Sequence, residues 1–172
     1  MKKSTKIIAS AVAAVALFFS VNANAQSPKF GIGLNAGVPT NDGYNFAIGG
    51  DLRYQFDIDK QLSVPITAGF TSIQGDDVTV LGSTYKLRYN YIPVKAGLKY
   101  FFNDTGSGAY GLAEAGAAFG TDSGSGTNFI FSPAIGYSWS NGLDLAAKYE
   151  GIPMNGGTIG YAGIRLAYGF KL

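Results

Sequence analysis

Strict alternation of apolar residues with polar or small ones, sustained over long runs, constrains this chain most. The clearest run covers residues 44–56. One row of it reads Tyr44, Phe46, Ile48, Gly50, Leu52, Tyr54 and Phe56, and the other reads Asn45, Ala47, Gly49, Asp51, Arg53 and Gln55. In an extended strand these rows lie on opposite faces. Strands of soluble proteins average about 5–6 residues, whereas tilted membrane-spanning strands need about 9–11, so the length of this run favours a membrane-crossing strand.

The same period-two pattern recurs along the chain, and no stretch after residue 25 has a helical period. Clusters of Gly, Asn, Asp and Ser separate the runs, which lie near 30–38, 44–56, 62–70, 85–102, 109–119, 129–139, 143–150 and 159–172. Because an even number of hairpin-connected strands can close on itself, the pattern predicts an all-β, eight-stranded antiparallel up-and-down transmembrane β-barrel. The outer connections are predicted at 39–43, 72–84, 121–127 and 153–158, and the second is the longest.

Three strands carry specific predictions. The fourth has large apolar residues at odd positions up to Tyr91 and at even positions from Ile92 onward, which predicts a β-bulge beside Pro93. In the fifth strand, an outward row of Ala113, Ala115, Ala117 and Phe119 turns Glu114 inward. In the last strand, Tyr161 lies off the apolar row, so either its ring points into the lumen or a bulge near Ala162 resets the phase.

Residues 1–25 form a segment that is distinct from the rest of the chain. Three lysines precede an apolar run at residues 7–21, and Ala23-Asn24-Ala25 provides a small-x-small cleavage site. This pattern predicts a signal peptide at 1–25 and a barrel domain at 26–172, because a single transmembrane anchor would need about 20 apolar residues. Without the leader, the chain has 10 basic and 11 acidic residues. It therefore has no excess of positive charge that would indicate binding to nucleic acid.

The charged residues of the strands all fall on the rows opposite the large apolar side chains. A soluble barrel or sandwich would place the apolar rows in its core and these charges in solvent. Long strands, aromatic residues at strand ends and small residues on the charged rows favour instead a membrane barrel with a filled interior. We therefore predict a lumen network of paired charges formed by Asp51, Arg53, Lys95, Lys99, Glu114, Asp144, Lys148, Glu150 and Arg165, with Arg165 directed toward Glu114 or Glu150.

The chain contains no histidine and no cysteine. Triads that rely on His, and the commonest zinc ligands, are therefore missing, and we expect neither an enzyme nor a cofactor. The acidic stretches 41–43 and 75–77 lack the carboxylate spacing of a calcium loop and are interpreted as turns.

Taken together, the leader, the mature length of about 147 residues, the eight strands, the run YIPVKAGLKYFF at 91–102 and the aromatic C-terminal strand resemble a known family. The chain is similar to small outer-membrane β-barrels of the OmpX and OmpA-barrel type, and particularly to the porin-like barrels of Bacteroidetes-type bacteria. The resemblance implies a Gram-negative outer-membrane location, lipid contact, and periplasmic chaperones and barrel-assembly machinery as partners. It also implies an assembly signal in the last strand, which maps here onto Gly163, Tyr168, Phe170 and Leu172.

Two functional hypotheses remain open on this basis. The first is a monomeric structural or surface-interaction protein whose outer loops bind an unidentified ligand. The second is a small passive channel whose pore is lined by Arg53, Lys99, Glu114 and Arg165. Eight strands enclose a space that side chains just about fill, which favours the first.

Overall fold

The computed structural model describes residues 29–80, 83–122 and 124–171, with side chains except at 77–80, 83–85 and 171. The predicted leader and Leu172 lie outside the described residues. The described chain folds into β1 (Lys29–Pro39), β2 (Tyr44–Asp57), β3 (Leu62–Val80), β4 (Ser83–Phe101), β5 (Gly108–Gly120), β6 (Thr127–Ser138), β7 (Leu143–Met154) and β8 (Gly157–Lys171). None of its described parts forms a helix long and apolar enough to cross a membrane.

The eight strands form a closed barrel in which each strand pairs antiparallel with its sequence neighbours. Closure is made by β1 and β8, whose register runs without interruption from Lys29 opposite Lys171 to Pro39 opposite Tyr161. Closing the sheet in this way removes the free edges that would otherwise invite aggregation. The predicted all-β, eight-stranded antiparallel barrel is therefore confirmed.

The apolar rows face outward. Leu34 is 68% exposed and Ile135 is 61% exposed, and both belong to a set of large apolar side chains that covers the outside of the barrel. Among the described strand positions on this outer face between 29 and 75 and between 91 and 170, none is Asp, Glu, Lys or Arg. A soluble barrel would have the opposite orientation, so the soluble alternative is wrong and the outer face is suited to lipid.

Two aromatic pairs, Phe129–Phe131 and Phe131–Tyr149, lie toward one end of this outer face, and four mark the other end. We call the end with four pairs the terminal end, because the chain enters β1 and leaves β8 there, and we call the opposite end the loop end. Four ring pairs lie near the terminal end, with centroids 4.6 to 6.1 Å apart: Tyr54–Phe56, Tyr100–Phe102, Tyr137–Trp139 and Tyr168–Phe170. Such a ring of aromatic side chains is typical of the membrane–water interface of barrels.

The predicted bulge beside Pro93 is wrong. Pairing of β4 with β5 runs without a register shift from Tyr91 opposite Gly120 to Phe101 opposite Tyr110. Odd positions of β4 therefore point inward from Tyr89 to Phe101, and Tyr91 is only 1% exposed. Tyr89 and Tyr91 fill the lumen near the loop end. An apolar row that points inward there has the same sequence pattern as a change of phase.

The actual irregularities lie in β2, between Tyr44 and Phe46, and in β3, between Gln74 and Asp77. The first changes the position of Tyr44, which was predicted on the outward row but packs against buried interior residues. The last strand contains no bulge near Ala162, and Tyr161 points into the lumen with 1% exposure. Glu114 is 5% exposed and faces inward as predicted, opposite the outward Ala113 and Ala115.

The predicted long loop at 72–84 is mostly strand. Here β3 continues to Val80 and β4 begins at Ser83, and the two remain paired to that point. Pairing of β3 with β2 ends at Gly75, and pairing of β4 with β5 ends at Tyr91. The residues 76–80 and 83–90 thus form a two-stranded projection, which we call the ribbon, beyond the loop end of the barrel.

Candidate functional site in the barrel lumen

The barrel interior contains the nine ionisable residues that the alternation pattern turned inward. They come from β2, β4, β5, β7 and β8, and each is between 1% and 9% exposed. Their positions are Asp51, Arg53, Lys95, Lys99, Glu114, Asp144, Lys148, Glu150 and Arg165. Each of them contacts at least one opposite charge, so the structure brings the whole set together.

Glu150 of β7 is the most deeply buried member of this network, at 1% exposure. Its Oε1 accepts a hydrogen bond from the hydroxyl of Tyr91 at 2.7 Å. Its Oε2 accepts from Lys148 Nζ at 2.9 Å and also from Lys95 Nζ. Two cations and a phenol thus satisfy one carboxylate, which is what a buried ion requires to be tolerated.

Glu114 of β5 forms a second group with residues of β2 and β3. Arg53 Nη2 lies 3.1 Å from Glu114 Oε2, and the Thr67 hydroxyl donates to Oε1 at 2.6 Å. Arg53 Nε donates in turn to Thr67 Oγ1 at 3.0 Å. Lys95 Nζ lies 3.9 Å from Glu114 Oε2 and so connects this group to the group around Glu150.

Arg165 of β8 forms a third group, and the predicted contact with Glu114 or Glu150 is wrong. Its Nε and Nη2 donate to the carboxylate of Asp51, at 3.0 Å to Oδ2 and 2.6 Å to Oδ1 respectively. Its Nη1 lies 3.7 Å from Asp144 Oδ1. Because β1 alone separates β8 from β2 around the cylinder, Asp51 comes within reach of Arg165 although it is 114 residues away in sequence.

Asp144 also binds Lys99, the lysine of the network that the other groups do not include. Lys99 Nζ donates to its Oδ2 at 2.9 Å, and the hydroxyl of Tyr110 donates to its Oδ1 at 2.7 Å. The Lys99 ammonium also lies over the ring of Tyr110, 3.8 Å from the centroid, which adds a cation–π attraction.

Several further polar residues of the interior, neutral and charged, were not singled out from sequence. Asn35 donates to Asp51 Oδ2 at 2.7 Å and accepts from Lys148 at 3.3 Å, so it bridges two of the groups. At the terminal end, Lys29 Nζ lies 2.7 Å from Asp57 Oδ2, and Gln55 and Ser63 donate to Asp57 Oδ1. All of these occupy inward rows, so alternation combined with polarity could have found them.

The lumen is closed toward the loop end and open toward the terminal end. A cluster of buried apolar residues, which we call the plug, fills the loop end: Ala47, Ile73, Tyr91, Ala118, Ile130, Ile152 and Tyr161. At the terminal end lies a vestibule of about 490 Å³, with Arg53, Lys99 and Arg165 in its lining. Between the two, a void of about 10 Å³ lies among the charged groups and has room for about one water molecule.

Other sequence-predicted sites lie outside the lumen. Tyr168 and Phe170 of the proposed assembly signal are 46% and 47% exposed on the outer face, and Gly163 pairs with Gly37 of β1. At the loop end, the Asn41 side chain donates to Thr158 O at 2.7 Å and so ties the first outer connection to β8. Within the described residues, no group of three or more His, Cys, Asp or Glu side chains is placed to hold a metal ion.

Comparison with known proteins supports the architecture. A family model described as "Outer membrane protein beta-barrel domain" matches residues 11–171. None of the curated proteins compared with the chain matches it significantly.

Several solved structures share the fold. The crystal structure of Ail, the attachment invasion locus protein of Yersinia pestis, superposes with a TM-score of 0.57 at 17% identity, covering 84% of this chain and 99% of that one. The N-terminal β-barrel domain of Pseudomonas aeruginosa OprF gives 0.53 at 16% identity, covering 86% and 100%. The de novo designed barrel TMB2.3 gives 0.53 at 17% identity, covering 88% and 100%. A designed barrel among these matches underlines that the likeness concerns the fold alone.

Proposed function

We propose that this protein, which belongs to the family of outer membrane protein β-barrel domains and lies in the bacterial outer membrane, acts through its surface. The terminal end would then face the periplasm, and the ribbon would project outside the cell. In this proposal the lumen network supports the barrel, while the ribbon contacts a partner.

The observation that carries this proposal is the extension of the ribbon beyond its neighbours. Past Asp76, β3 has no paired strand on its β2 side, and before Asn90, β4 has none on its β5 side, within the described residues. The last tie to the rest of the barrel on the β4 side is Thr121 N donating to Asn90 O at 3.1 Å. Free strand edges offer backbone donors and acceptors to which an extended segment of a partner can add.

The exposed side chains that are described in the ribbon are polar. Asp76, Lys86 and Arg88 are exposed at its base, and the Asp76 carboxylate accepts a hydrogen bond from Asn45 at 2.5 Å. Exposed charges of both signs protect an edge strand from non-specific association and are compatible with selective recognition.

Replacing residues 77–86 with Asn-Gly tests this proposal. The barrel should remain folded, because pairing of β3 with β2 ends at Gly75 and pairing of β4 with β5 ends at Tyr91, so the replaced residues lie outside both pairs. Heat-dependent migration on gels would verify this. Bacteria that display the shortened protein should lose adhesion to cultured epithelial cells and to one another relative to the parent strain. A matched control replaces residues 122–126 of the outer connection with Asn-Gly, which leaves Thr121 at the base of the ribbon in place, and adhesion should then persist. Equal adhesion of the parent and the ribbon variant would refute the proposal.

A passive channel is the second candidate, and the vestibule is the observation that favours it. This cavity extends from the terminal end of the barrel to Arg53 and Arg165. Conduction would require a path through the plug, where Tyr91 and Tyr161 are each 1% exposed. We therefore rank the surface role first.

A further inference from the structure

The vestibule at the terminal end has the dimensions of a small-molecule site. Its volume of about 490 Å³ lies within the range of roughly 300–1,000 Å³ that is usual for ligand pockets. Its walls include the turn residues 105–107 and 138–142, and its floor is the charged network. The proposed surface function makes no use of this cavity.

The charged side chains that line the vestibule are predominantly cationic. Lys29, Arg53, Lys99 and Arg165 line it, and Asp144 contributes a carboxylate. The network behind it has the same sign, because its nine members comprise five Lys or Arg and four Asp or Glu. The Lys29–Asp57 pair at the mouth is neutral as a pair and leaves this surplus of one positive charge in place.

Two guanidinium groups on the vestibule floor retain unused donors. Arg53 donates through Nε to Thr67 and through Nη2 to Glu114. Arg165 donates through Nε and Nη2 to Asp51. Among the described residues, no hydrogen-bond acceptor is assigned to Nη1 of either arginine, and Arg165 Nη1 lies 3.7 Å from its nearest carboxylate, that of Asp144.

We propose that the vestibule binds a small soluble oxyanion, with a phosphate or carboxylate group, that enters from the terminal end and is held by Arg53 and Arg165. The guanidinium is planar and its paired donors match the oxygens of phosphates and carboxylates. A bound anion would also neutralise the surplus charge, which is costly to leave uncompensated in a confined interior. Entry from this end follows from the plug, which closes the other.

Trp139 provides a reporter, because it is the only tryptophan in the sequence and it lines the vestibule. Protein purified from outer membranes in detergent would be titrated with inorganic phosphate, and separately with acetate, while sodium chloride keeps the ionic strength constant. The expected result is a saturable fluorescence change with at least one of the two oxyanions. Isothermal titration calorimetry would give the same apparent Kd.

A pair of variants at Ser140 tests whether charge at the mouth controls this binding. Ser140 is an exposed turn residue that lines the vestibule, and neither substitution touches the network. At low ionic strength Ser140→Lys should tighten the apparent Kd and Ser140→Asp should weaken it, so that the two differ by roughly two- to fivefold. Arg165→Lys, checked for folding by heat-dependent gel migration, should weaken binding further because it keeps the charge and loses the fork.

Two results would overturn the proposal. One is the absence of a saturable response to phosphate and to acetate at constant ionic strength. The other is an identical apparent Kd for Ser140→Lys and Ser140→Asp, which would locate any binding elsewhere on the protein.

Discussion

At the scale of single residues, the interior depends on small side chains as much as on charged ones. Gly33 of β1 lies beneath the guanidinium of Arg165, so that a Cβ there would come within 2.6 to 2.8 Å of three guanidinium atoms. Gly31, two positions earlier on the same face, has Tyr168 O as the nearest atom to its Cβ position, at 3.5 Å. The glycines on inward rows therefore differ in what they do, and only some make room for an ion pair.

This difference gives a matched prediction for two substitutions. Gly33→Ala should lower the free energy of unfolding by about 1–3 kcal/mol, because Arg165 must shift from its two-point contact with Asp51. Gly31→Ala should change it by no more than about 0.5 kcal/mol. Urea unfolding of the two variants in the same lipid or detergent would measure both values, and an equal loss of stability would contradict the role given to Gly33.

At the scale of elements, the last strand combines two roles on its two faces. Its inward face carries Arg165 and Tyr161, and its outward face carries Tyr168 and Phe170, whose rings lie 4.9 Å apart. We propose, from the family resemblance, that Gly163 together with Tyr168 and Phe170 of this strand forms the signal that the barrel-assembly machinery recognises. The terminal Leu172 belongs to the same proposal but lies outside the described residues.

Phe170→Ala tests this proposal, with Phe129→Ala as the control. Both phenylalanines are on the outer face, at 47% and 56% exposure, and each substitution removes the same side chain. We expect Phe170→Ala to reduce the amount of folded barrel in cellular outer membranes several-fold more than Phe129→Ala, because only β8 would be read during assembly. Both should refold equally well in detergent without cellular factors, and a similar cellular yield of the two would argue against a signal in β8.

At the scale of the whole molecule, the interior of the barrel is divided along its axis into three layers, two filled by side chains and one open. Apolar side chains form the plug at the loop end, the charged network occupies the middle, and the vestibule opens at the terminal end. A barrel of eight strands has just enough interior for such filling. The plug therefore interrupts a continuous aqueous path at the loop end, and the paired charges narrow it in the middle.

Planar-bilayer recording measures this closure. The wild-type protein should show no discrete conductance, whereas the double variant Tyr91→Ala with Tyr161→Ala should conduct ions, because both side chains are buried members of the plug. The control is Tyr100→Ala, which removes a tyrosine from the outer face and should produce no conductance. Steady wild-type conductance that is unaffected by the double variant would favour the channel hypothesis instead.

Sequence alone determined the number of strands, the charged character of the interior and the face of most strand residues, although alternation places Tyr44 and Tyr91 on the wrong face. Alternation is a local property of an extended chain, so residues such as Arg53 and Glu114 could be turned inward without knowledge of their neighbours. The lipid-facing rows followed from the same period, since no charged residue interrupts them at the described strand positions between 29 and 75 and between 91 and 170.

Only the tertiary structure decided which charges meet and where the lumen closes. The partner of Arg165 is Asp51, on a strand 114 residues away, because the register of β1 with β8 and β2 sets the heights of facing side chains. The same closure turns Tyr91 and Tyr161 into a plug, although a run of inward apolar residues looks in sequence like a bulge. Pairing and closure depend on contacts between distant strands, and period-two alternation within one strand contains no information about them.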